Sequence, residues 1–154
     1  MPSLESPRVF VPPPVIVAGT LLAGLWFDGR LQTFPRPPLS LLTDGSVAIA
    51  MGLALIGAAL GLFRRARTRP EPWQPATELV QTGIYRFTRN PMYFGMLVTY
   101  AGVALVLQSP AAGLLLIPLG LVIDRFVIAR EETYLRRRFG PSYDAYRSIV
   151  RRWF

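Results

Sequence analysis

The sequence predicts an all-α fold: a polytopic membrane helical bundle of about four transmembrane helices, followed by a C-terminal amphipathic helix. Three observations predict it. Of the 154 residues 51% are apolar and 17% charged, with a mean hydropathy of +0.34, too apolar for an ordinary small soluble domain. Four apolar stretches of 16 to 19 residues recur along the chain. The basic residues, all arginine, sit at the ends of those stretches and do not form one face of a polar domain.

The first stretch is Val9 to Phe27, with three prolines near its start. Those prolines leave a re-entrant or interfacial course open. A signal peptide is the rival reading, and the stretch lacks a convincing small-x-small cleavage site. The second, Ser46 to Phe63, contains Gly57 and Gly61, a small-xxx-small pair suited to packing within the bundle or to a dimer seam. The third, Met92 to Leu107, and the fourth, Pro110 to Ile128, are joined only by "QSP" and predict a tight antiparallel hairpin over 91–128. Beyond it a helix should run through "REETYLRRRF" and stop at Gly140. Pro141 then opens a last helix through residue 154, with Tyr143, Tyr146, Val150 and Trp153 on one face.

Charge sets the orientation. Arginines crowd the segment between the second and third stretches ("RRARTR", Arg86, Arg89) and everything after the fourth. The 108–110 turn is uncharged, and in the 28–45 loop Arg30 and Arg36 are balanced by Asp28 and Asp44. The positive-inside rule therefore predicts four spans with both termini cytoplasmic. The same placement explains the net charge of +8 without nucleic acid as a partner. The expected organisation is one membrane domain over 1–154, with two N-terminal spans over 9–63 and a second half over 72–154.

His, Cys and Lys are absent. That excludes a Ser-His-Asp or Cys-His nucleophile, a Schiff-base lysine and the usual zinc site, so no metal is expected. Proton transfer is left to Glu, Asp, Tyr, a substrate group or water.

The hairpin must bring "RNPMY" and "REE" together at the cytoplasmic boundary, although some forty residues separate them. Each member has an ordinary reading. Asn90 and Pro91 suit a helix cap and its first residue. Arg89 and Tyr93 suit interfacial anchors. Glu132 with Arg136 is an i,i+4 surface pair. Asp124 and Arg125 fit less easily, because ionisable groups inside a span usually face a cavity or a partner, although Arg125 can snorkel. Together, a helix N-terminus suits a carboxylate, paired acids suit an ammonium, and aromatic faces suit a sulfonium. S-adenosylmethionine has those features.

"ELVQTGIYRFTRNPMYFG" and "REETYLRRRFGPSYDAYRSIVRRWF" resemble the isoprenylcysteine carboxyl methyltransferase and phospholipid methyltransferase group of integral membrane enzymes. The resemblance covers roughly residues 72 to 154, which makes that part the catalytic half. It implies a cytosolic-face site for S-adenosylmethionine and a lipophilic acceptor (isoprenylcysteine-like, phospholipid or another small lipophile) arriving from the membrane. By position it implies cofactor contacts from Leu79, Val80, Gly83, Tyr85, Arg89, Asn90, Pro91, Tyr93, Glu131 and Glu132. Arg125 or Arg130 is the candidate for an anionic substrate group, and Glu131, Glu132 or Asp124 for a base toward an amine. Two departures stand out: the isoprenylcysteine enzymes usually carry His where this chain has Asn90, and their closing Val-Pro-Arg is here Val150-Arg151-Arg152. Two alternatives remain. Membrane sterol and steroid reductases share a related C-terminal arrangement, with "RRARTR" then serving the phosphate of NADPH; a non-catalytic membrane scaffold is the other. The sequence leaves monomer and homodimer open.

Overall fold

The computed structural model describes residues 11–31, 35, 38, 41–70 and 75–154. Among the described residues the regular structure is entirely helical. The start of the first stretch (Val9 and Phe10) and Arg36 lie outside the described residues.

Helix α1 (Pro13–Leu31) begins at the last of its clustered prolines but one, where a missing N–H costs nothing. It packs against α3 and α4, and its Asp28 accepts hydrogen bonds from the Ser109 hydroxyl and, at 3.1 Å, from the Ala111 amide. Asp28 therefore serves the N-terminus of α4, where a carboxylate meets free N–H groups and positive helix potential. The Arg30 guanidinium lies 5.5 Å from the Trp26 ring centre.

Helix α2 (Leu41–Arg65) starts before Ser46 and closes on Arg64 and Arg65. It packs on α3 (Pro91–Val106) through two glycine pairs. A Cβ on Gly45 would stand 2.8 Å from the Gly102 carbonyl oxygen, and one on Gly95 would stand 2.8 Å from that of Gly52. Carbonyls of one helix thus fill the space where the other would carry side chains. The expected pair, Gly57 and Gly61, has nothing within 4 Å of an added Cβ and takes no part in the α2–α3 packing. The i,i+4 spacing is common on any small-residue helix; the seam follows the seven-residue spacing that α2 and α3 share, and Gly57 points away from it.

The α3–α4 turn is as short as "QSP" predicts. Gln108 takes φ of 50°, and the Ser109 hydroxyl caps α4 (Pro110–Val122) by accepting from the Ala112 amide at 3.1 Å. The buried Tyr100 hydroxyl closes the hairpin by donating to the Ala112 carbonyl at 2.9 Å. Helix α4 runs into a π-helical turn (Ile123–Ile128), where the Ala129 amide reaches back to the Asp124 carbonyl, and then into α5 (Ala129–Phe139). Among the described residues two helices are long and apolar enough to cross a membrane: α2, and the continuous helix Pro110–Phe139, whose apolar part ends at Ile128.

Gly140, at φ of 51°, breaks the chain after α5, and α6 (Pro141–Ile149) follows. Contrary to expectation, α6 does not reach residue 154. Val150 is extended, and residues 150–154 turn back over the entrance of α3. Their carbonyls bond across the site: that of Arg151 accepts from the Arg89 amide, and that of Arg152 from the Thr88 hydroxyl and the Asn90 side-chain amide. Trp153 consequently leaves the face of Tyr143 and Tyr146.

Candidate functional site

The site forms where four segments meet: the connection before α3, the first turn of α3, the start of α5, and α6. Gly83, at φ of 60°, turns the connection; a Cβ there would lie 2.8 Å from the Leu62 side chain. A 3₁₀ turn (Gly83–Arg86) then presents Tyr85, whose ring meets Phe63 edge-on at 5.7 Å between centres. The Tyr146 hydroxyl locks this turn by donating to the Tyr85 carbonyl at 2.7 Å. Tyr146→Phe leaves that buried acceptor unpaired and is expected to lower stability by about 1–3 kcal/mol, read as a lower melting temperature in detergent; an unchanged temperature speaks against the lock.

Asn90 occupies the cap position of α3, yet its side chain does not cap. It donates instead to the Arg152 carbonyl at 2.9 Å. Arg89 is no interfacial anchor either: its side chain is 9% exposed and its guanidinium meets Glu132 at 3.1 Å. Its Nε–H is buried with no hydrogen-bond partner among the described residues. Tyr93 is buried and donates to Glu131 at 2.9 Å, the contact that joins α3 to α5.

The two adjacent acids are in different surroundings. Glu132 is held by both Arg89 and Arg152, the latter at 2.6 Å. The expected Glu132–Arg136 pair does not form, because α6 brings Asp144 to Arg136 at 2.9 Å on the surface. Glu131 has Tyr93 as its hydrogen-bond partner and faces the cavity. It stands beyond the apolar stretch that ends at Ile128, and burial pushes its carboxyl from 4.5 up to about 7. The Tyr93 hydrogen bond works against that rise, and the charge of Glu132 adds to it. Burial likewise raises the Tyr85 and Tyr146 phenols and pushes Tyr143 up to about 12, helped by Glu132 and opposed by Arg89. These phenols stay neutral at physiological pH and offer rings and O–H groups, not bases.

Of the residues singled out from the sequence, Leu79, Val80, Tyr85, Arg89, Asn90, Tyr93, Glu131 and Glu132 line one cavity. Gly83 and Pro91 do not line it; they shape the turn and the helix start. Arg125 and Arg130 are also outside it. Arg125 is 73% exposed and pairs with its neighbour Asp124 at 3.3 Å. Asp124 does find partners, in Arg152 at 3.1 Å and the Trp153 indole at 2.9 Å. Sequence reasoning missed Phe63, Met92 and Leu135 on the walls and Arg152 behind Glu132. Walls of this kind resemble any span residue, and Arg152 is hidden in a basic run. Of "RRARTR" only Arg69 lines the cavity.

Among the described residues the chain is all-helical, with helices apolar enough to cross a membrane and a cavity lined by acids and tyrosines, which marks a helical protein of membrane character. Within that class the family is decided by comparison: the phospholipid methyltransferase family model matches residues 45–142, and the chain belongs to that family. It is a family of membrane methyltransferases. The chain is 45% identical over 62 residues to an uncharacterised protein of Haemophilus influenzae, covering 40% of this chain and 98% of that one. It is 37% identical over 75 residues to the protein-S-isoprenylcysteine O-methyltransferase of Schizosaccharomyces pombe, and 36% over 75 residues to that of Dictyostelium discoideum. Each of these matches covers 47% of this chain and 30% of the relative. Neither the reductase nor the scaffold alternative is favoured by these matches.

Proposed function

We propose that this protein is an integral membrane methyltransferase that uses S-adenosylmethionine to methylate a lipophilic acceptor. The observation that carries the reading is the 2.9 Å bond from Tyr93 to the half-buried Glu131, which joins the two ends of the hairpin in one cavity. The chemistry of the lining supports the fit. Glu131 and the rings of Tyr85 and Tyr93 suit an ammonium and a sulfonium. The Arg89 guanidinium, on the cavity wall, suits a carboxylate. Leu79, Val80 and Asn90 complete the proposed contacts, with Glu132 holding Arg89 from behind. When bound, the cofactor supplies an electrophilic methyl group.

The protein's part is alignment and exclusion of water, for which Phe63, Met92 and Ile128 provide apolar wall. A carboxylate or thiolate acceptor needs no base. An amine does, and Glu131, free of a guanidinium partner in the network described, suits that role better than Glu132. The reading includes four spans (α1, α2, α3, and α4 to Ile128), cytoplasmic termini and a cytoplasmic-face site, supported by the arginine distribution. Phospholipid and isoprenylcysteine-like acceptors both fit it. So do a monomer and a homodimer.

Titration of the detergent-solubilised protein with S-adenosylhomocysteine tests the reading: saturable binding is expected, strongly weakened by Glu131→Gln, and no binding to the wild type overturns it. A pH dependence follows from the same carboxyl. A cationic ligand favours ionised Glu131, so below about 7 binding must expel a proton and affinity falls by up to tenfold per pH unit. Above that value affinity levels off. Without ligand the sign reverses: a raised carboxyl pKa favours the folded state at low pH, and that contribution is lost as pH rises from 4.5 through 7. Calorimetry across pH 6 to 8 checks both slopes, and Glu131→Gln should flatten them; a slope that survives the substitution assigns it to another group.

A further inference from the structure

Between the site and the end of the described chain lies a continuous ladder of alternating charge. Asp124 of the π turn meets the Arg152 guanidinium at 3.1 Å, Arg152 meets Glu132 at 2.6 Å, and Glu132 meets Arg89 at 3.1 Å. Arg89 then reaches the Tyr143 hydroxyl at 3.5 Å. Four elements are tied by four side chains of balanced charge, which is how charges are kept in a largely desolvated place. The same segment binds the other side of the site through its backbone: the Arg151 carbonyl takes the Arg89 amide at 3.0 Å, and the Arg152 carbonyl takes Thr88 and Asn90. Two further contacts seat it, from the Trp153 indole to Asp124 and from the Phe154 ring edge-on to Phe94 at 4.6 Å.

The geometry points to Arg152 as a positioning residue of the methyl-transfer site: its forked guanidinium, bridging Asp124 and Glu132, holds Glu132 and, through it, the Arg89 guanidinium at the cavity wall. The sequence shows Arg152 only as the last residue of Val150-Arg151-Arg152, with no role attached. Arg152 does not line the cavity and is not a catalytic residue; it acts through Glu132 and, by its carbonyl, through Asn90. Bidentate guanidinium–carboxylate bonds are directional, so they fix orientation as well as charge. A lysine carries the charge without the fork. The inference rests on the proposed use of S-adenosylmethionine, and its test separates the two.

The test measures the affinity and the stoichiometry of S-adenosylhomocysteine binding to detergent-solubilised wild type, Arg152→Gln, Arg152→Lys and Glu132→Gln. Arg152→Gln is expected to bind at least tenfold more weakly with unchanged stoichiometry, and Arg152→Lys three- to tenfold more weakly. A merely structural role would lower the fraction of competent protein while leaving the affinity of that fraction intact, and that result overturns the inference. In the Glu132→Gln background, Arg152→Gln should add less than twofold, because its route is already cut; full additivity overturns the inference. Should Arg152→Gln fail to fold, Arg152→Lys decides alone, and an affinity equal to wild type removes the role of the fork. Should the wild type itself not bind, the donor reading falls and this inference with it. If the wild type binds and both Arg152 variants match it, this inference alone falls.

Discussion

Glu132→Ala is expected to cost about 3–5 kcal/mol of folding stability and to abolish donor binding. The size follows from what the substitution leaves behind. Arg89, with a side chain 9% exposed, keeps Tyr143 at 3.5 Å but loses its carboxylate, and Arg152 keeps only Asp124. Removing one partner of a buried pair exposes the other to the full desolvation penalty, which exceeds the net worth of the pair. Arg152 is 29% exposed and recovers part of the loss from water; Arg89 has no such outlet. Denaturation in detergent and titration with S-adenosylhomocysteine check the two parts. A second substitution, Arg89→Leu, should restore part of the stability of Glu132→Ala by removing the stranded charge, without restoring binding. Wild-type stability in Glu132→Ala would mean that the ladder carries no weight.

Gly102→Leu is expected to be comparably damaging, about 3 kcal/mol or more, without any charge involved. A Cβ at Gly102 would stand 2.6 Å from the Gly45 carbonyl oxygen and 2.8 Å from the Ile49 amide nitrogen. These are backbone atoms, so no rotamer change relieves the clash; α2 and α3 must separate. Separation opens the seam at Gly52 and Gly95 as well and displaces Phe63 relative to Tyr93, so donor binding should weaken with stability. Gly57→Leu is the control. An added Cβ there meets nothing within 4 Å, and its stability should stay within about 0.5 kcal/mol of wild type. Melting temperatures of the two variants in one detergent decide the matter; equal temperatures would place the helix seam elsewhere.

Much of the molecule is legible in the chain because its signals are local. Runs of apolar residues, the helix-opening prolines at Pro91, Pro110 and Pro141, and the break at Gly140 each act within a few residues. Elements and their order follow from them, as does the meeting of "RNPMY" with "REE", since a three-residue turn leaves the hairpin little freedom. What failed depended on contacts between distant elements. Which face of α2 meets α3 depends on matching glycines forty to sixty residues apart, which is why Gly57 and Gly61 misled. Glu132 has one sequence neighbour at the right spacing, Arg136, but a stronger attraction from two guanidiniums that the fold delivers. Asn90 reads as a cap until the chain's last residues return to claim its amide.

By itself the sequence determined an all-helical membrane protein without His, Cys or Lys chemistry, and its composition and helix signals suffice for that because they need no partner. Only the tertiary structure decided that, of two acids lining the cavity, Glu131 bonds to Tyr93 while Glu132 is held by two guanidiniums, and that residues 150–154 leave the helix to form the back of the site. Adjacent identical side chains point some 100° apart on a helix, so their surroundings are set by what packs against each face. That is information no single stretch of the chain contains.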